Sequence, residues 1–276
     1  MFSRIAVVML TALVLTACAT SPTGRRQLML VSEDQAISAS RQAYVQNMGQ
    51  LKDQGKLVTD PRTLARVETI TERLVAQAVI QRPATTRWDW SVEVIDEPET
   101  VNAWCMAGGR MAIYTGLINK LDPTDDELAQ VMGHEIAHAL ANHTAERMSI
   151  AMASQIGVIA VGVASDSPGR NMALAATAAQ LAVLLPNSRT AESEADRIGI
   201  ELAAKAGYDP RAAATLWQKM GAVGGSGPPQ FLSTHPAPGN RQQRLGELAP
   251  QMEPYYRAGG TRPTHPVKVG DAARAR

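Results

Sequence analysis

The most informative stretch of this 276-residue chain is Val131-Met132-Gly133-His134-Glu135-Ile136-Ala137-His138-Ala139. Because His134 and His138 are four residues apart, a helix would place both imidazoles on one face, one turn from each other. Two ring nitrogens in this arrangement can hold one zinc ion. Glu135 stands beside the first histidine and can act as a general base toward a water molecule in the same site. The stretch predicts a zinc site of the hydrolytic kind, against the alternative of a helix with this spacing by chance.

A catalytic zinc commonly has three protein ligands, so a third must come from elsewhere in the chain. Ala141 and Thr144 occupy the positions where a glycine and a third histidine would extend the motif, which excludes that three-histidine class. Glu192 and Asp196 lie four residues apart in a helical pattern and share one face. One of these carboxylates can bind zinc while the other accepts a hydrogen bond from a ligand histidine. Taken alone, the same segment would be a solvated helix face.

The composition favours a helical protein with one sizeable core. Hydrophobic residues make up 45% of the chain, and aromatic residues only 4%. The net charge is +1 and the basic residues are scattered, which argues against a nucleic-acid partner. The one clear β region is 88–117, where Gly108-Gly109 between two extended runs is typical of a hairpin. We therefore predict an α+β fold, mostly α, with a small β-sheet packed on the motif helix.

Helical patterns cover most of the remaining chain. We expect helices near 32–51, 60–81, 209–220 and 240–248. A further helix should start at 122–127 and carry the histidine motif, and another should open at 186–188 and contain 189–197. The alanine-rich segment 148–185 is broken near its middle, and neither half is long enough to span a membrane. It predicts a hydrophobic helical hairpin that serves as core packing or as a flap over the site.

The N-terminus is typical of a bacterial lipoprotein. A basic start and a short apolar run precede Leu15-Thr16-Ala17-Cys18, which is similar to a lipobox, so Cys18 is the predicted lipidation site. The alternative is an ordinary cleaved signal peptide. By resemblance to such lipoproteins, Ala19 after the cysteine suggests sorting to the outer membrane, with the protein on its periplasmic side. Acylation of Cys18 would leave Cys105 without an intrachain partner. We expect Cys105 to be a small buried residue or a strand residue, and the alternative is an intermolecular disulfide.

These signals divide the chain into four parts. Residues 1–18 form the predicted signal peptide with its lipobox, and 19–31 form a tether. Residues 32–250 form the globular domain, and 251–276 a flexible tail that is rich in Gly, Pro and Arg.

His134-Glu135-Ile136-Ala137-His138, followed by the stretch Ser188-Arg189-Thr190-Ala191-Glu192-Ser193-Glu194-Ala195-Asp196-Arg197, resembles the M48 family of zinc metalloproteases. Further similar stretches are 101–109, 114–117 and Ser233-Thr234-His235-Pro236, so the resemblance covers about residues 22–248. Among M48 peptidases, the chain is most similar to the soluble, lipid-anchored periplasmic members of the BepA and LoiP type.

The resemblance implies a zincin fold of the gluzincin type with one Zn²⁺ per chain. It assigns the metal to His134, His138 and Glu192, the general base to Glu135, and the hydrogen bond to a ligand histidine to Asp196.

The resemblance also implies roles outside this ligand set. The strand that contains Asn102, Ala103 and Trp104 would be an edge strand that pairs with substrate. His235 would be a regulatory fourth zinc ligand that keeps the enzyme latent, or else a turn residue with a packing role. Arg241 or Arg244 would stabilise an oxyanion, unless Arg241 simply begins the last helix.

The predicted function is zinc-dependent endopeptidase cleavage of unfolded or misassembled envelope proteins, with outer-membrane proteins or their assembly machinery as candidate partners. One alternative is a chaperone-like binding module for outer-membrane protein assembly, with little or no proteolysis. Zinc content and a protease assay distinguish these two hypotheses. A weaker alternative is zinc-dependent hydrolysis of non-peptide esters or amides, which a comparison of substrates would distinguish.

Overall fold

The computed structural model describes residues 18–164, 187–223, 230–236 and 239–274. In chain order the elements are β1 (Cys18–Thr20), β2 (Arg26–Leu28), α1 (Glu33–Asp53), α2 (Pro61–Gln81), a 3-10 helix (Pro83–Arg87), β3 (Ser91–Ile95), β4 (Ala103–Met106), β5 (Arg110–Tyr114), α3 (Thr115–Leu121), α4 (Asp125–Leu140), α5 (His143–Ala164), α6 (Arg189–Lys205), α7 (Ala212–Ala222), α8 (Gln230–Thr234), α9 (Arg241–Arg257), β6 (Lys268–Val269) and α10 (Asp271–Arg274). The chain is mostly helical with small sheets, which confirms the predicted fold class.

The described residues divide into two compact units, one within 1–36 and 142–185 and the other within 37–141 and 186–276. In the first unit, β1 and β2 pair antiparallel, with Cys18 opposite Leu28. Arg25 binds both carboxylate oxygens of Glu146 on α5 at 2.6 Å, and Gln27 donates to the same carboxylate at 2.9 Å. The expected tether at 19–31 is therefore wrong: these contacts hold a β-hairpin against α5.

Helix α5 begins the apolar segment for which we expected a helical hairpin. The second half of that segment, residues 165–186, lies outside the described residues. Among the described helices, none combines the length and the apolar composition that crossing a membrane requires.

The second unit contains a four-stranded sheet in the order β4-β5-β3-β6. Strands β4 and β5 are antiparallel, as the predicted hairpin requires, while β3 pairs parallel with both β5 and β6. Gly108 and Gly109 connect the hairpin with φ of +87° and +84°, a conformation that favours glycine. A Cβ at Gly109 would also approach the ring of Trp90 to 2.5 Å. The hairpin thus brings β4 to one end of the sheet order.

Helix α4 carries the histidine motif and is buried from Glu127 to Leu140. Its apolar side chains Leu128, Met132 and Ile136 belong to the main core together with those of α2, the sheet and α6. A helix that is covered on all sides presents its polar residues to neighbouring elements rather than to water. The two histidines of the motif therefore lie inside the core.

The start of α4 is held by a capping box. The Thr124 hydroxyl accepts from the Glu127 backbone N–H at 3.2 Å, and the Glu127 carboxylate accepts from the Thr124 N–H at 2.9 Å. Glu127 also binds Lys219 at 2.6 Å and Thr215 at 2.8 Å, both on α7. These contacts fix the rotation of α4 and therefore the direction in which its histidines point.

Helices α4 and α6 pack closely because two glycines meet where they contact each other. A Cβ at Gly133 would lie 2.9 Å from the Gly199 carbonyl oxygen, and a Cβ at Gly199 would lie 2.8 Å from the His134 Cα. Neither position has room for a side chain. This contact brings the acidic residues of α6 within reach of the histidines of α4.

The flexible tail that we expected at 251–276 is wrong for the described part of that segment. Helix α9 continues to Arg257, and Lys268–Val269 then forms β6 beside β3. The Gly270 N–H donates to the Val92 carbonyl at 3.1 Å, and Lys268 pairs with Asp89 at 2.6 Å. The composition indicated disorder, but the buried Val269 and these backbone bonds order the segment.

Candidate metal centre

Four buried side chains from three parts of the second unit converge on one point. His134 and His138 come from α4, Glu192 from the first turn of α6, and His235 follows α8. One potential ligand atom of each lies within 4.8 Å of the corresponding atoms of the other three. The structure therefore brings together the three residues expected to bind zinc and the candidate fourth ligand.

The distances inside this group suit a small tetrahedral cation. His134 Nε2 lies 3.1 Å from His138 Nε2 and 3.2 Å from Glu192 Oε2, and His138 Nε2 lies 3.3 Å from Glu192 Oε1. Ligand atoms about 2.0–2.1 Å from a tetrahedral zinc are separated from one another by about 3.3 Å. Two imidazoles and a carboxylate are also ligand types that zinc prefers. The residues present fit a zinc ion.

Glu135 lies beside this group with one carboxylate oxygen unused. Its side chain is buried, and Oε1 accepts no hydrogen bond from the described residues. His235 Nε2 lies 3.5 Å from this oxygen. Burial raises the pKa of Glu135 above its usual value. A buried acceptor without a donor at the edge of a metal site can receive a proton from a bound water.

Asp196 and Arg241 surround the outer side of the ligands. Asp196 Oδ1 lies 3.1 Å from His134 Nδ1, so it can accept that proton and leave Nε2 facing the group. Arg241 donates to Asp196 from Nε at 3.0 Å and to Glu192 from Nη1 at 3.1 Å. Arg244 donates to Ser193 at 2.9 Å. Arg241 Nη2 also lies 3.1 Å from His134 Nδ1 and 3.3 Å from His134 Nε2. The donors of Arg241 are therefore directed to side chains of the protein, and its expected oxyanion role stays a prediction.

His235 occupies the remaining side of the group. Its Nδ1 lies 3.1 Å from Glu192 Oε1 and 3.4 Å from His134 Nε2. Its ring stacks on Phe231, with 4.5 Å between centroids, and is 5% exposed. Asn187 Nδ2 lies 3.5 Å from His235 Nδ1. Sequence reasoning did not find Phe231 or Asn187, because neither stands at a motif spacing.

The protons of this site are strongly coupled to its charges. Burial alone would raise the pKa of Glu192, but hydrogen bonds from His134, His138 and His235 outweigh burial and hold it well below its usual range. Burial and Arg241 lower the pKa of His134, but hydrogen bonds to Asp196 and Glu192 outweigh them and raise it to about 9. A metal that binds here must displace the proton of His134, so its affinity falls as the pH falls.

The predicted edge strand lies next to the motif helix. Ala103 begins β4, which contacts α4 and pairs with β5. Asn102 precedes it, and the Asn102 carbonyl accepts from the Tyr114 N–H at 3.1 Å. Trp104 is half-buried and meets the Tyr44 ring edge-on at 6.0 Å. Cys105 is buried on the same strand with a free thiol, and burial raises its pKa.

Comparison with known proteins shows that the sequence is similar to peptidases. The model of peptidase family M48 matches residues 61–249. Mitochondrial metalloendopeptidase OMA1 of Bos taurus is 34% identical over 241 residues, which are 83% of this chain and 45% of that protein. OMA1 of Arabidopsis thaliana is 41% identical over 166 residues, which are 59% of this chain and 32% of that protein. The beta-barrel assembly-enhancing protease of Escherichia coli is 29% identical over 214 residues, which are 74% of this chain and 42% of that protein. The chain spans less than half of the length of each of these three relatives.

Proposed function

This chain belongs to peptidase family M48 and carries a metalloprotease domain of the zincin type, and from that premise we propose that it is a zinc-dependent endopeptidase. The observation that carries the proposal is the convergence of His134, His138 and Glu192 on one point, with the unused carboxylate oxygen of Glu135 beside it. The predicted M48 resemblance is confirmed. The finer likeness to BepA-type members is supported only in part, because mitochondrial OMA1 proteases are also similar to the chain.

In the proposed mechanism the protein holds a water molecule and a substrate carbonyl at the ligand group. When bound, zinc supplies a Lewis acid that polarises the carbonyl and lowers the pKa of the water. Glu135 accepts the proton of the attacking water and then donates it to the nitrogen of the leaving amine. Asp196 keeps His134 in the tautomer that presents Nε2 to the site. Each proton that Glu135 takes up is thus returned within one hydrolysis.

We propose that substrates bind in an extended conformation along β4, at Asn102, Ala103 and Trp104. Two features support this: β4 lies at one end of the sheet order, and it contacts the motif helix. An edge strand offers backbone N–H and C=O groups, so recognition would depend little on side chains. Unfolded or misassembled proteins expose such backbone and would be the preferred substrates.

Hydrolysis of unfolded casein by the purified chain, and its loss in Glu135→Gln, tests the endopeptidase proposal. A chaperone-like binding module would hold casein without cutting it. Cleavage of small esters or amides without cleavage of peptides would favour the non-peptide hydrolase.

We propose that the protein acts in the cell envelope, on the periplasmic side of the outer membrane, anchored by a lipid on Cys18. The lipobox-like stretch that ends at Cys18 supports the anchor. The name of the E. coli relative supports outer-membrane proteins or their assembly machinery as partners. With Cys18→Ala, we expect the protein to leave the outer-membrane fraction, because the lipid can no longer be attached. If the variant remains in the outer-membrane fraction, the anchor is wrong.

We further propose that His235 keeps the resting site latent. Its Nδ1 lies 3.1 Å from Glu192 Oε1 and 3.4 Å from His134 Nε2, so in this proposal His235 fills the place of the attacking water. His235→Ala should therefore raise the initial rate of casein cleavage several-fold, whereas His265→Ala, in a histidine that contacts Pro266, should leave it unchanged. If His235→Ala and wild type cleave casein at equal rates, His235 does not keep the site latent, and its role is packing on Phe231.

A further inference from the structure

Arg241 is a buried cation whose donors are directed to two acidic side chains and to the ring of His134. It is 3% exposed, and its guanidinium approaches Asp196 through Nε and Nη2. Nη1 donates to Glu192 Oε2 at 3.1 Å and contacts the His235 carbonyl at 3.5 Å. A planar fork of donors is well suited to fixing two carboxylates at once.

The site needs such a cation because it buries several carboxylates close together. Glu192 is 0% exposed, Asp196 is 6% exposed, and both lie on the same face of α6, one turn apart. Like charges at this spacing repel each other, and burial removes the water that would screen them. Arg241 contacts both carboxylates, so it offsets this repulsion directly.

The plane of the guanidinium is fixed by an aromatic ring. The Arg241 Cζ lies 3.8 Å from the centroid of the Trp217 ring on α7. Stacking covers one face of the guanidinium and leaves its edge, which carries the donors, directed at α6. Trp217 in turn lies 6.0 Å from Phe231, the residue on which His235 stacks.

We propose that Arg241 is a positioning residue that orients Glu192 and Asp196 for zinc binding, with Trp217 fixing its orientation. By holding Oε2 of Glu192, Arg241 leaves Oε1 directed toward His138 and His235. The part of this proposal that concerns zinc rests on the proposed function. The part that concerns the two carboxylates holds for the metal-free protein as well.

The test compares Arg241→Gln with Arg244→Gln. Arg244 lies on the same helix, α9, and donates to the Ser193 hydroxyl of α6. For Arg241→Gln we expect a zinc affinity about 10- to 100-fold lower in competition with a chromogenic chelator. The visible spectrum of the cobalt-substituted protein should change as well, because the ligand field depends on how Glu192 is held. Arg244→Gln should resemble wild type in both measurements.

A second measurement, the thermal unfolding of the metal-free protein, tests how Arg241 affects the two carboxylates when no metal is bound. Metal-free Arg241→Gln should unfold on the order of 10 °C below wild type, because two buried carboxylates lose their counter-charge. Adding Asp196→Asn to that variant should recover part of the loss, since only one carboxylate remains.

Wild-type zinc affinity and an unchanged cobalt spectrum in Arg241→Gln would overturn the positioning role. A double variant no more stable than Arg241→Gln would overturn the electrostatic explanation. Neither result depends on proteolysis, so a chain that fails to cleave casein would refute the proposed function without deciding this one.

Discussion

Glu135→Gln should retain zinc and degrade unfolded casein at least about 100-fold more slowly than wild type. Glutamine has nearly the shape of glutamate, but its amide cannot take a proton from water at neutral pH. Glu135 Oε1 accepts no hydrogen bond from the described residues and lies 3.5 Å from His235 Nε2, so the substitution removes no hydrogen bond at that atom. Replacing a buried carboxylate by a neutral amide should leave the melting temperature unchanged or slightly raised.

The measurements for this variant are zinc content by metal analysis, melting temperature, and the initial rate of casein cleavage. Glu201→Gln on α6 is a matched control, because it makes the same chemical change in a half-buried ion pair with Lys205. Its rate should equal that of wild type. If zinc-loaded Glu135→Gln cleaves casein as fast as wild type, Glu135 is not the base.

The same inactive variant can test where substrate lies. With an unfolded peptide bound to Glu135→Gln, we expect slower amide hydrogen exchange in β4, at residues Ala103–Met106. Pairing of a peptide with an edge strand protects the N–H groups that face it. If peptide binding leaves the rate of amide hydrogen exchange in β4 unchanged, the edge-strand proposal is contradicted.

The residues of the candidate metal centre could be predicted as two pairs because the spacing within each pair is local. His134 and His138 are one helical turn apart, and so are Glu192 and Asp196, so each pair shares a face of its helix before any tertiary contact is known. The β4–β5 hairpin was predictable for a similar reason, since its turn chemistry lies in Gly108-Gly109.

The features that sequence reasoning missed depend on contacts between distant parts of the chain. Arg241 was expected to face an oxyanion, but a single arginine has no spacing that reveals the two carboxylates on α6. Strand β6 has only two residues, and its pairing with β3 joins positions about 177 apart. Nothing in the composition of a polar terminal segment signals such a partner.

Gly199→Ala should be among the most damaging small substitutions in the chain. The added Cβ would lie 2.8 Å from both the Cα and the backbone N of His134, and backbone atoms cannot move aside as a flexible side chain can. Helix α6 would have to shift away from α4, against the core that both helices share. Overpacking of this kind costs about 1–3 kcal/mol and is offset by a gain of about 1 kcal/mol from replacing a helical glycine by alanine, so we expect a net loss of stability of up to about 2 kcal/mol.

The shift should also weaken metal binding, because Glu192 and the two histidines are carried by the two helices that would separate. A zinc site tolerates displacements of only a few tenths of an ångström, so we expect a loss of affinity of at least about tenfold. Chelator competition measures this loss, and thermal unfolding of the metal-free protein measures the packing cost. Gly246→Ala is the matched control: a Cβ added at Gly246, within α9, would meet no atom within 4 Å, so alanine there should be neutral or stabilising. Similar stability and zinc affinity in both variants would mean that the close contact between α4 and α6 does not set the geometry of the site.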